Sequence, residues 1–528
     1  MLPQNSATGV ETDLIATTLA NDESFPFSPA HSRLIQFELH DQTDRCAEVY
    51  GENEWLLHPS ETLELRGNAF ALENTLDGCG MVFLKLAPLP DSRATPSDFD
   101  VRVARNGAGL ELQTQDAYEW KTAKYQGGKW NRIAAFHDLQ RRIRPYNPNQ
   151  DGLFLTNTWG DRHRDAHLNP QFMAAEIEAG ARLGADIVQI DDGWQQGTTA
   201  NSSVAHGGGA WDGFWATDPN FWAVNSTRFP DGLKPLAEQA RAKDMSLGLW
   251  FAPDSSNQAA NWERDADALL ALHRDLGVNF FKIDALKIDG PQSEINFGKL
   301  FDKVRTESNG EVSFDLDITA EKRFGYFGQI VPGRLFLENR YSDWRSYWPH
   351  QTLRAVWQLS HVVDPVRLRV EWLNNARNDD KYADDPLGPS KYRPDALFAT
   401  TMICSPLGWF ETQKLPDSYF AEAAPLIATW KQHREPMQNG TTLPVGAAPD
   451  GNAWTGFVSV NAARSGGYAL LFRELNESAD FRLELPLIGK LNTPIKVLGG
   501  DGEATLKDGV LSVRVPEKLR FVWVKFDA

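Results

Sequence analysis

The feature that most constrains the fold is a repeated alternation of strand and helix patterns that begins near Leu153. Eight apolar segments of strand length follow one another, at 154–159, 186–190, 246–251, 278–281, 312–316, 334–337, 366–370 and 406–410. Amphipathic helical patterns separate most of them, for instance at 170–183, 232–243, 261–276 and 349–359. Eight such units predict a (β/α)8 barrel. Barrels of this kind carry their chemistry at the C-terminal ends of the strands.

Antiparallel patterns flank the predicted barrel on both sides. Before it, short alternating strands include 99–103 and 110–112 around Asn106-Gly107, a hairpin signal that predicts a β-sandwich. After it, strands joined by an Asp508-Gly509 turn predict a C-terminal antiparallel β domain. A helix over 130–144 connects the sandwich to the barrel, and we expect its Arg141, Arg142 and Arg144 to face solvent. The predicted domains are an N-terminal arm (1–30), the β-sandwich (31–125), a linker helix (126–150), the catalytic barrel (151–435) and the β domain (436–528).

Charge and hydropathy exclude several classes of partner. The net charge of -18 disfavours a phosphate backbone, so we expect no nucleic acid. No run of about 20 apolar residues is present, so we expect no membrane span. The N-terminus lacks a basic region followed by an apolar core, which favours a cytoplasmic location. The three cysteines are far apart and predict neither a disulfide framework nor a metal site.

The segment Phe280-Phe281-Lys282-Ile283-Asp284 places a cation and a carboxylate at the end of the fourth strand. Residues two apart in a strand point to the same face, so both side chains could enter one pocket. We predict that Asp284 is a catalytic nucleophile. A structural ion pair that caps the strand is about equally compatible with these residues alone.

Carboxylates and tryptophans follow every strand of the predicted barrel. In strand order they include Trp159; Asp191, Asp192 and Trp194; Trp250 and Asp254; Asp284; Asp315 and Asp317; Glu338 and Asp343; Glu371 and Trp372; Trp409 and Glu411. Carboxylates accept hydrogen bonds from hydroxyl groups and tryptophans stack on sugar faces, so this ring favours a glycosidase. There are two alternatives. The polar groups could be ordinary loop residues without a catalytic role, or the protein could be a Mg²⁺-dependent isomerase. Against the isomerase, Lys282 beside Asp284 would repel the metal ion.

Four motifs in order make the prediction specific. They are Asp191-Asp192-Gly193-Trp194, the segment 222–233, Leu247-Gly248-Leu249-Trp250-Phe251-Ala252-Pro253 and Lys282-Ile283-Asp284. This series resembles glycoside hydrolase family 36, the α-galactosidase family of clan D, over roughly residues 153–343. The resemblance implies a retaining, exo-acting α-galactosidase that needs no metal or organic cofactor. It also implies an α-linked galactosyl substrate and is compatible with a homo-oligomer.

The resemblance assigns roles to individual residues. Asp284 would attack the anomeric carbon, and Asp343 of the Ser342-Asp343 pair would serve as acid/base, about 5–5.5 Å away as in retaining enzymes. Asp191 and Asp192 would hold the O4 and O6 hydroxyls of galactose. The other implied substrate-binding residues are Lys282, Trp159, Trp194, Trp250, Arg340 and Asp254.

Three departures from the family pattern concern substrate choice. Residues 314–319 replace the usual Cys…Ser-Gly-Gly-Gly-Arg stretch near C2 of the sugar, where Asp317 is a weaker candidate contact. Asp254 stands where the family has glutamate, and Trp344 follows Asp343 in place of further acidic residues. An α-glycosidase for N-acetylgalactosamine or another pyranose, and a non-catalytic carbohydrate-binding relative, therefore stay open. The aromatic loop 207–221 is predicted to be a lid or leaving-group platform, or else an anchor onto another subunit.

Overall fold

A computed structural model describes residues 31–43, 48–56, 62–106, 109–114, 116, 118–206, 208–337 and 340–527. The predicted N-terminal arm (1–30), Gly107 of the predicted hairpin turn and Glu338 of the predicted carboxylate ring lie outside the described residues.

The N-terminal region is a sandwich of two antiparallel sheets. The strands are β1 (Ser32–Leu39), β2 (Tyr50–Leu56), β3 (Thr62–Leu65), β4 (Ala69–Asn74), β5 (Gly80–Lys85), β6 (Val101–Asn106), β7 (Gly109–Gln113) and β8 (Trp120–Tyr125). One sheet has the order β2-β1-β4-β5-β8 and the other β3-β6-β7. Apolar side chains from both sheets, among them Leu34, Phe83 and Val103, form the core between them. The predicted pairing of the strands around Asn106 is confirmed, since β6 and β7 are antiparallel.

The central region is a closed barrel of eight parallel strands. They are β9 (Leu155–Asn157), β10 (Ile187–Ile190), β11 (Ser246–Phe251), β12 (Phe280–Ile283), β13 (Ser313–Asp317), β14 (Gly333–Phe336), β15 (Leu368–Trp372) and β16 (Ser405–Trp409). Each strand pairs with the next along the chain, and β16 closes on β9. The predicted (β/α)8 barrel with flanking antiparallel β domains is confirmed.

The fourth strand lies two residues later than its apolar run suggests. β12 pairs with Gly248–Phe251 of β11, and this ladder carries it through Lys282 and Ile283. The ladder partner therefore decides where the strand ends, and Lys282 belongs to the strand itself with Asp284 one residue beyond its end.

Helices surround the barrel and connect the domains. The α-helices are Lys129–Ile143, Pro170–Leu183, Phe214–Thr217, Lys234–Arg241, Ser256–Ala259, Trp262–Leu276, Pro291–Glu307, Pro349–Leu359, Pro394–Ala399 and Ala424–Asn439. Several begin at proline, which fits the first helical turn because its missing N–H has no partner there anyway. No helix within the described ranges has both the length and the apolar character needed to cross a membrane.

Two of the arginines at the end of the linker helix Lys129–Ile143 are more buried than their charges suggest. We expected its arginines to face solvent, but Arg141 pairs with buried Asp364 at 2.5 Å and donates to the carbonyl of Gln438. Arg144 pairs with buried Asp151 at 2.6 Å. Of the three, Arg142 alone is mainly exposed, beside Asp138. The expectation was wrong for Arg141 and Arg144 because the helix packs between the barrel and the C-terminal domain.

The C-terminal region is a second pair of antiparallel sheets. Its strands are β17 (Thr441–Gly446), β18 (Trp454–Val460), β19 (Gly466–Arg473), β20 (Asp480–Glu484), β21 (Ile495–Gly500), β22 (Glu503–Lys507), β23 (Val510–Arg514) and β24 (Arg520–Asp527). The sheet orders are β17-β18-β19-β24-β21 and β20-β23-β22. Asp508 and Gly509 have φ values of 52° and 79° and form the predicted turn. Two successive positive φ values suit the tight turn of a hairpin.

Candidate active site

Asp284 lies at the C-terminal mouth of the barrel, directly after β12. Its Oδ2 accepts a hydrogen bond from Nε1 of Trp250 at 3.1 Å and lies 3.7 Å from Nζ of Lys282. Its Oδ1 accepts from Nη1 of Arg323 at 3.2 Å and from the backbone N–H of Ala285. The side chain keeps 18% of its surface accessible. Two cations and two neutral donors thus fix a carboxylate that a small molecule can still reach.

The electrostatic surroundings keep Asp284 ionised. Burial by itself would raise the pKa of Asp284. The charges of Lys282 and Arg323, together with the hydrogen bonds from Trp250 and Ala285, outweigh burial and hold this pKa well below its usual range. A carboxylate that stays charged at neutral pH is what a nucleophile at a carbon centre requires.

Lys282 joins two carboxylates inside the barrel. Its Nζ lies 3.3 Å from Oδ2 of Asp191 and 3.7 Å from Oδ2 of Asp284. The same ammonium lies over the rings of Phe336 and Trp409, at 4.7 and 4.9 Å from their centroids. Burial lowers the pKa of Lys282, but the neighbouring carboxylates raise it by more, so the net shift is upward. Lys282 is therefore a permanent positive charge at this site.

Arg323 is a member of the site that the sequence analysis missed. Its Nη1 contacts Oδ1 of Asp284 at 3.2 Å and Oδ1 of Asp317 at 3.3 Å, and it donates to the carbonyl of Asp317. It lies on the connection between β13 and β14, 39 residues after Asp284. The only sequence signal was the basic pair Lys322-Arg323 shortly after two carboxylates at a strand end.

Asp317 is held at the end of β13 by its own loop and by Arg323. Its Oδ1 accepts from both the backbone N–H and the hydroxyl of Thr319, each at 2.8 Å. Burial raises the pKa of Asp317 to about 6, although Arg323 acts in the opposite direction. The nearby charge of Asp284 adds to the increase. Asp317 is therefore the carboxyl beside the proposed nucleophile that changes charge at mildly acidic pH.

The two adjacent aspartates after β10 have different surroundings. Oδ2 of Asp191 accepts from Asn157 at 2.7 Å and from Lys282 at 3.3 Å, which connects Asp191 to the Asp284 cluster. Asp192 accepts from Gln195 at 2.7 Å and from the hydroxyl of Thr199, so both of its oxygens are engaged by its own loop. Burial raises the pKa of Asp192 to about 7. Asp191 belongs to the charged centre, and Asp192 fixes the loop after β10.

The three predicted wall tryptophans are all buried and differ in what they contact. Trp250 contacts Asp284 directly through its indole N–H. Trp159 is buried and packs in a cluster that includes Trp409 and Tyr341. Trp194 has no accessible surface, and its Nε1 donates to the carbonyl of Trp250 at 2.7 Å. Trp194 therefore supports Trp250 from beneath.

Two further predicted contacts hold loops in place. Asp254 is fully buried; it accepts from the N–H groups of Gly213 and Ser256 at 2.8 and 3.0 Å and from Asn261 at 3.0 Å. Arg340 donates from its backbone to Glu371 at 2.8 Å and from Nη1 to the carbonyl of Ser346 at 3.2 Å. In this structure Asp254 fixes the connection after β11, and Arg340 fixes the loop that carries Asp343.

Asp343 lies on the loop that follows β14. Its side chain is 31% accessible, and Oδ2 pairs with Nε of Arg162 at 3.4 Å. Oδ1 accepts no hydrogen bond from any residue that the structure describes. The loop after β15 fastens this segment, since Asn378 donates to the hydroxyl of Ser342 at 2.9 Å and Lys381 to the carbonyl of Asp343. These contacts hold the backbone on both sides of the carboxylate, whose Oδ1 is buried and whose Oδ2 is paired with Arg162.

A chain of ring contacts connects Asp284 with Asp343 across the mouth. Lys282, next to Asp284, lies over Trp409, whose ring is 6.2 Å from that of Tyr341. The guanidinium of Arg162 lies 4.5 Å from the Tyr341 ring and reaches Asp343. Lys282, Trp409, Tyr341 and Arg162 therefore form a continuous series of contacts between the two carboxylates named by the sequence analysis.

Within the described part of the chain, one group of side chains has the composition of a metal site: His163, His167 and Glu411. The Nδ1 atoms of the histidines lie 2.6 and 3.2 Å from Oε1 of Glu411. Lys414 pairs with the other oxygen of Glu411 and lies 3.4 Å from Nδ1 of His167. A divalent cation would have to compete with that ammonium.

The aromatic loop after β10 packs on its own barrel. Phe214 and Phe221 are fully buried. Trp215 donates from Nε1 to Oδ1 of Asp265 at 2.8 Å, and Arg264 lies over its ring at 4.1 Å. These contacts fix Trp215 to the helix Trp262–Leu276. The lid and the subunit anchor both stay predictions.

The fold and this mouth define a (β/α)8-barrel protein with a lysine–carboxylate centre and aromatic walls. A family model described as melibiase matches residues 120–275. α-Galactosidase 2 of Pediococcus pentosaceus is 26% identical over 205 residues, which is 35% of this chain and 24% of that protein. Probable α-galactosidase C of Aspergillus flavus is 27% identical over 215 residues, 38% of this chain and 26% of that protein. The resemblance to the α-galactosidase family is confirmed, over a segment that spans about a quarter of these relatives.

Solved structures extend the likeness of fold to nearly the whole chain. The family 36 α-galactosidase AgaA of Geobacillus stearothermophilus superposes with a TM-score of 0.66 at 14% identity, over 96% of this chain and 76% of that one. A variant of AgaA was solved in complex with raffinose. The α-galactosidase of Lactobacillus brevis superposes with a TM-score of 0.62 at 13% identity, over 93% of this chain and 74% of that one. This chain and these enzymes share the barrel with its flanking β domains.

Proposed function

We propose that this protein is a retaining, exo-acting α-galactosidase. The observation that carries the proposal is the environment of Asp284, an accessible carboxylate held ionised by Lys282 and Arg323 at the mouth of a barrel. The similarity to named α-galactosidases supports the choice of sugar.

The proposed reaction is a double displacement. Asp284 attacks the anomeric carbon and forms a covalent glycosyl-enzyme, while Asp343 protonates the oxygen of the departing group. Asp343 then removes a proton from a water molecule, and this water releases the sugar from Asp284. Lys282 and Arg323 stabilise the carboxylate both before attack and when it is released again.

The remaining residues would bind the galactose ring. Asp191, which is connected to Asp284 through Lys282, is the best placed to accept hydrogen bonds from hydroxyl groups. Trp250 and Trp159 would form apolar walls. Trp194, Asp192, Asp254 and Arg340 would act by fixing the loops and walls around the sugar.

A panel of p-nitrophenyl α- and β-glycosides tests this proposal, with wild type and Asp284→Asn compared at equal concentration. We expect cleavage of the α-galactoside and a loss of at least about 10⁴-fold in kcat for the variant. Cleavage of a different α-glycoside would leave the mechanism standing and would mean that the altered region 314–319 selects another sugar. Activity that a chelator abolishes, or that survives in Asp284→Asn, would contradict the mechanism.

A further inference from the structure

Trp344 exposes an indole ring beside the proposed acid/base. The exposed large hydrophobic side chains of the described residues are Leu56, Leu76, Val204, Val497 and Trp344, and the last is 57% accessible. An indole that stays in water forgoes the free energy its burial would release. Trp344 is the aromatic member of this group, and it follows Asp343 directly in the chain.

The exposed indole is held in a fixed orientation by its neighbours. The guanidinium of Arg162 lies 4.2 Å from its ring centroid, and Tyr341 packs against it edge to face at 4.8 Å. Arg162 in turn stacks on Tyr341 at 4.5 Å and pairs with Asp343. Arg162 and Tyr341 thus hold the indole, while more than half of its surface stays accessible. A ring ordered in advance loses little conformational freedom when a ligand stacks on it.

The position of Trp344 defines which part of a substrate it can meet. It follows Asp343 directly in the chain, and consecutive Cα atoms are about 3.8 Å apart. If Asp343 protonates the departing oxygen, the group attached to that oxygen lies beside Asp343 on the side away from Asp284. Trp344 is the exposed aromatic side chain next to that place.

We propose that Trp344, supported by Arg162 and Tyr341, is the platform for the leaving group, and that this leaving group is a second sugar ring. This inference rests on the proposed α-galactosidase function. A pyranose ring presents an apolar C–H face to an indole and hydroxyl groups at its edge. The surroundings are polar, since Asp343 and Arg162 have partly accessible side chains and exposed Arg345 follows Trp344 in the chain. Exposed Lys381 donates to the carbonyl of Asp343. Such a rim suits a hydroxylated ring better than an apolar aglycone.

Three substrates separate this role from an indirect effect on Asp343. Raffinose has a sugar leaving group and needs the acid. Methyl α-galactoside needs the acid but offers no ring to stack. α-Galactosyl fluoride releases fluoride, which leaves without protonation and offers no ring to stack. The variants are Trp344→Ala and Trp344→Phe, with Leu76→Ala as a matched removal of an exposed side chain far from the mouth.

We expect Trp344→Ala to lose about tenfold in kcat/KM on raffinose and to stay within about twofold of wild type on the other two substrates. Trp344→Phe should recover most of the loss, and Leu76→Ala should match wild type on all three. An equal loss on raffinose and methyl α-galactoside would mean that Trp344 acts through Asp343 and would overturn the platform. Unchanged raffinose hydrolysis would also overturn it. A wild-type protein that does not cleave α-galactosyl fluoride would instead refute the proposed function.

Discussion

At the scale of single residues, the surroundings of Asp284 explain how a mostly buried carboxylate can stay charged. Lys282 approaches Oδ2 and Arg323 approaches Oδ1, so each oxygen has its own cation. Lys282 also holds Asp191, and Arg323 also holds Asp317. Four side chains of alternating charge therefore surround Asp284, and a change in one of them should alter the electrostatic potential at the nucleophile.

Arg323→Gln should move the acidic limb of the pH–rate profile. The guanidinium lowers the pKa of Asp284, so its removal raises that pKa, and the nucleophile becomes protonated at a higher pH. We expect the acidic limb of kcat/KM to shift upward, whereas Arg323→Lys, which keeps the charge, should shift less. An acidic limb that is the same in wild type and Arg323→Gln would show that Arg323 does not tune the nucleophile.

Asp343→Ala should lose activity in proportion to how much the leaving group needs a proton. Raffinose hydrolysis should fall by about 10²–10⁴-fold, the usual contribution of general acid catalysis. α-Galactosyl fluoride, which departs without a proton, should form the glycosyl-enzyme at nearly the wild-type rate in single-turnover measurements. Equal losses on both substrates would remove Asp343 from the role of acid.

The sequence identified Lys282 and Asp284 because strand geometry alone puts them on one face. It could not identify Arg323 or Arg162, because loop conformation brings them to the site. Arg162 has a φ of 65°, in the left-handed region, and no periodic pattern announces such a turn. The sequence also could not reveal that neighbouring loops donate to the oxygens of Asp192 and Asp254. Their role as sugar contacts stays a prediction.

At the scale of secondary-structure elements, the connections after the strands hold the site together. The barrel itself was predictable, because eight apolar segments alternate with helical patterns. The exact end of β12 was not, since the hydrogen-bonded partner and not hydropathy determines it. The N-terminal region braces two of these connections. Gln42 donates to the carbonyl of Glu321, between β13 and β14, at 2.9 Å, and Thr43 donates to that of Leu337, directly after β14, at 2.6 Å.

Asp254→Ala should act mainly on stability. The carboxylate satisfies two backbone N–H groups and one side-chain amide in a buried position, and each donor left unpaired costs about 1–3 kcal/mol. We expect a lower free energy of unfolding in urea, with Asp254→Asn intermediate because it keeps one acceptor oxygen. A variant of wild-type stability whose KM for α-galactosides rises sharply would restore Asp254 as a sugar contact.

At the scale of the whole molecule, burial of carboxyl groups sets the pH dependence of stability. Burial raises the pKa to about 6 or 7 for seven buried carboxyls of the described residues: Asp41, Asp161, Glu176, Asp192, Asp265, Asp317 and Glu474. Between about pH 4 and these values the folded state binds more protons than the unfolded state, so stability falls as pH rises. His137, His350 and His361, with pKa values lowered to about 4, act in the opposite sense but are fewer.

The melting temperature should therefore be several degrees higher at pH 5.5 than at pH 7.5, as measured by calorimetry at constant ionic strength. The net charge of -18 at pH 7 adds to the destabilisation at the higher pH through self-repulsion. A melting temperature that rises steadily from pH 5.5 to 7.5 would mean that these carboxyls are not protonated in the folded state.

The most direct test of the account is to trap the covalent intermediate. Wild type would be incubated with an activated fluorinated α-galactoside that forms the glycosyl-enzyme quickly and releases it slowly, and the intact protein and its peptides would then be weighed. The account predicts one added galactosyl group, on the peptide that contains Asp284, and none on Asp284→Asn. Label on another carboxylate, or turnover without any covalent species and with inversion at the anomeric carbon, would contradict it.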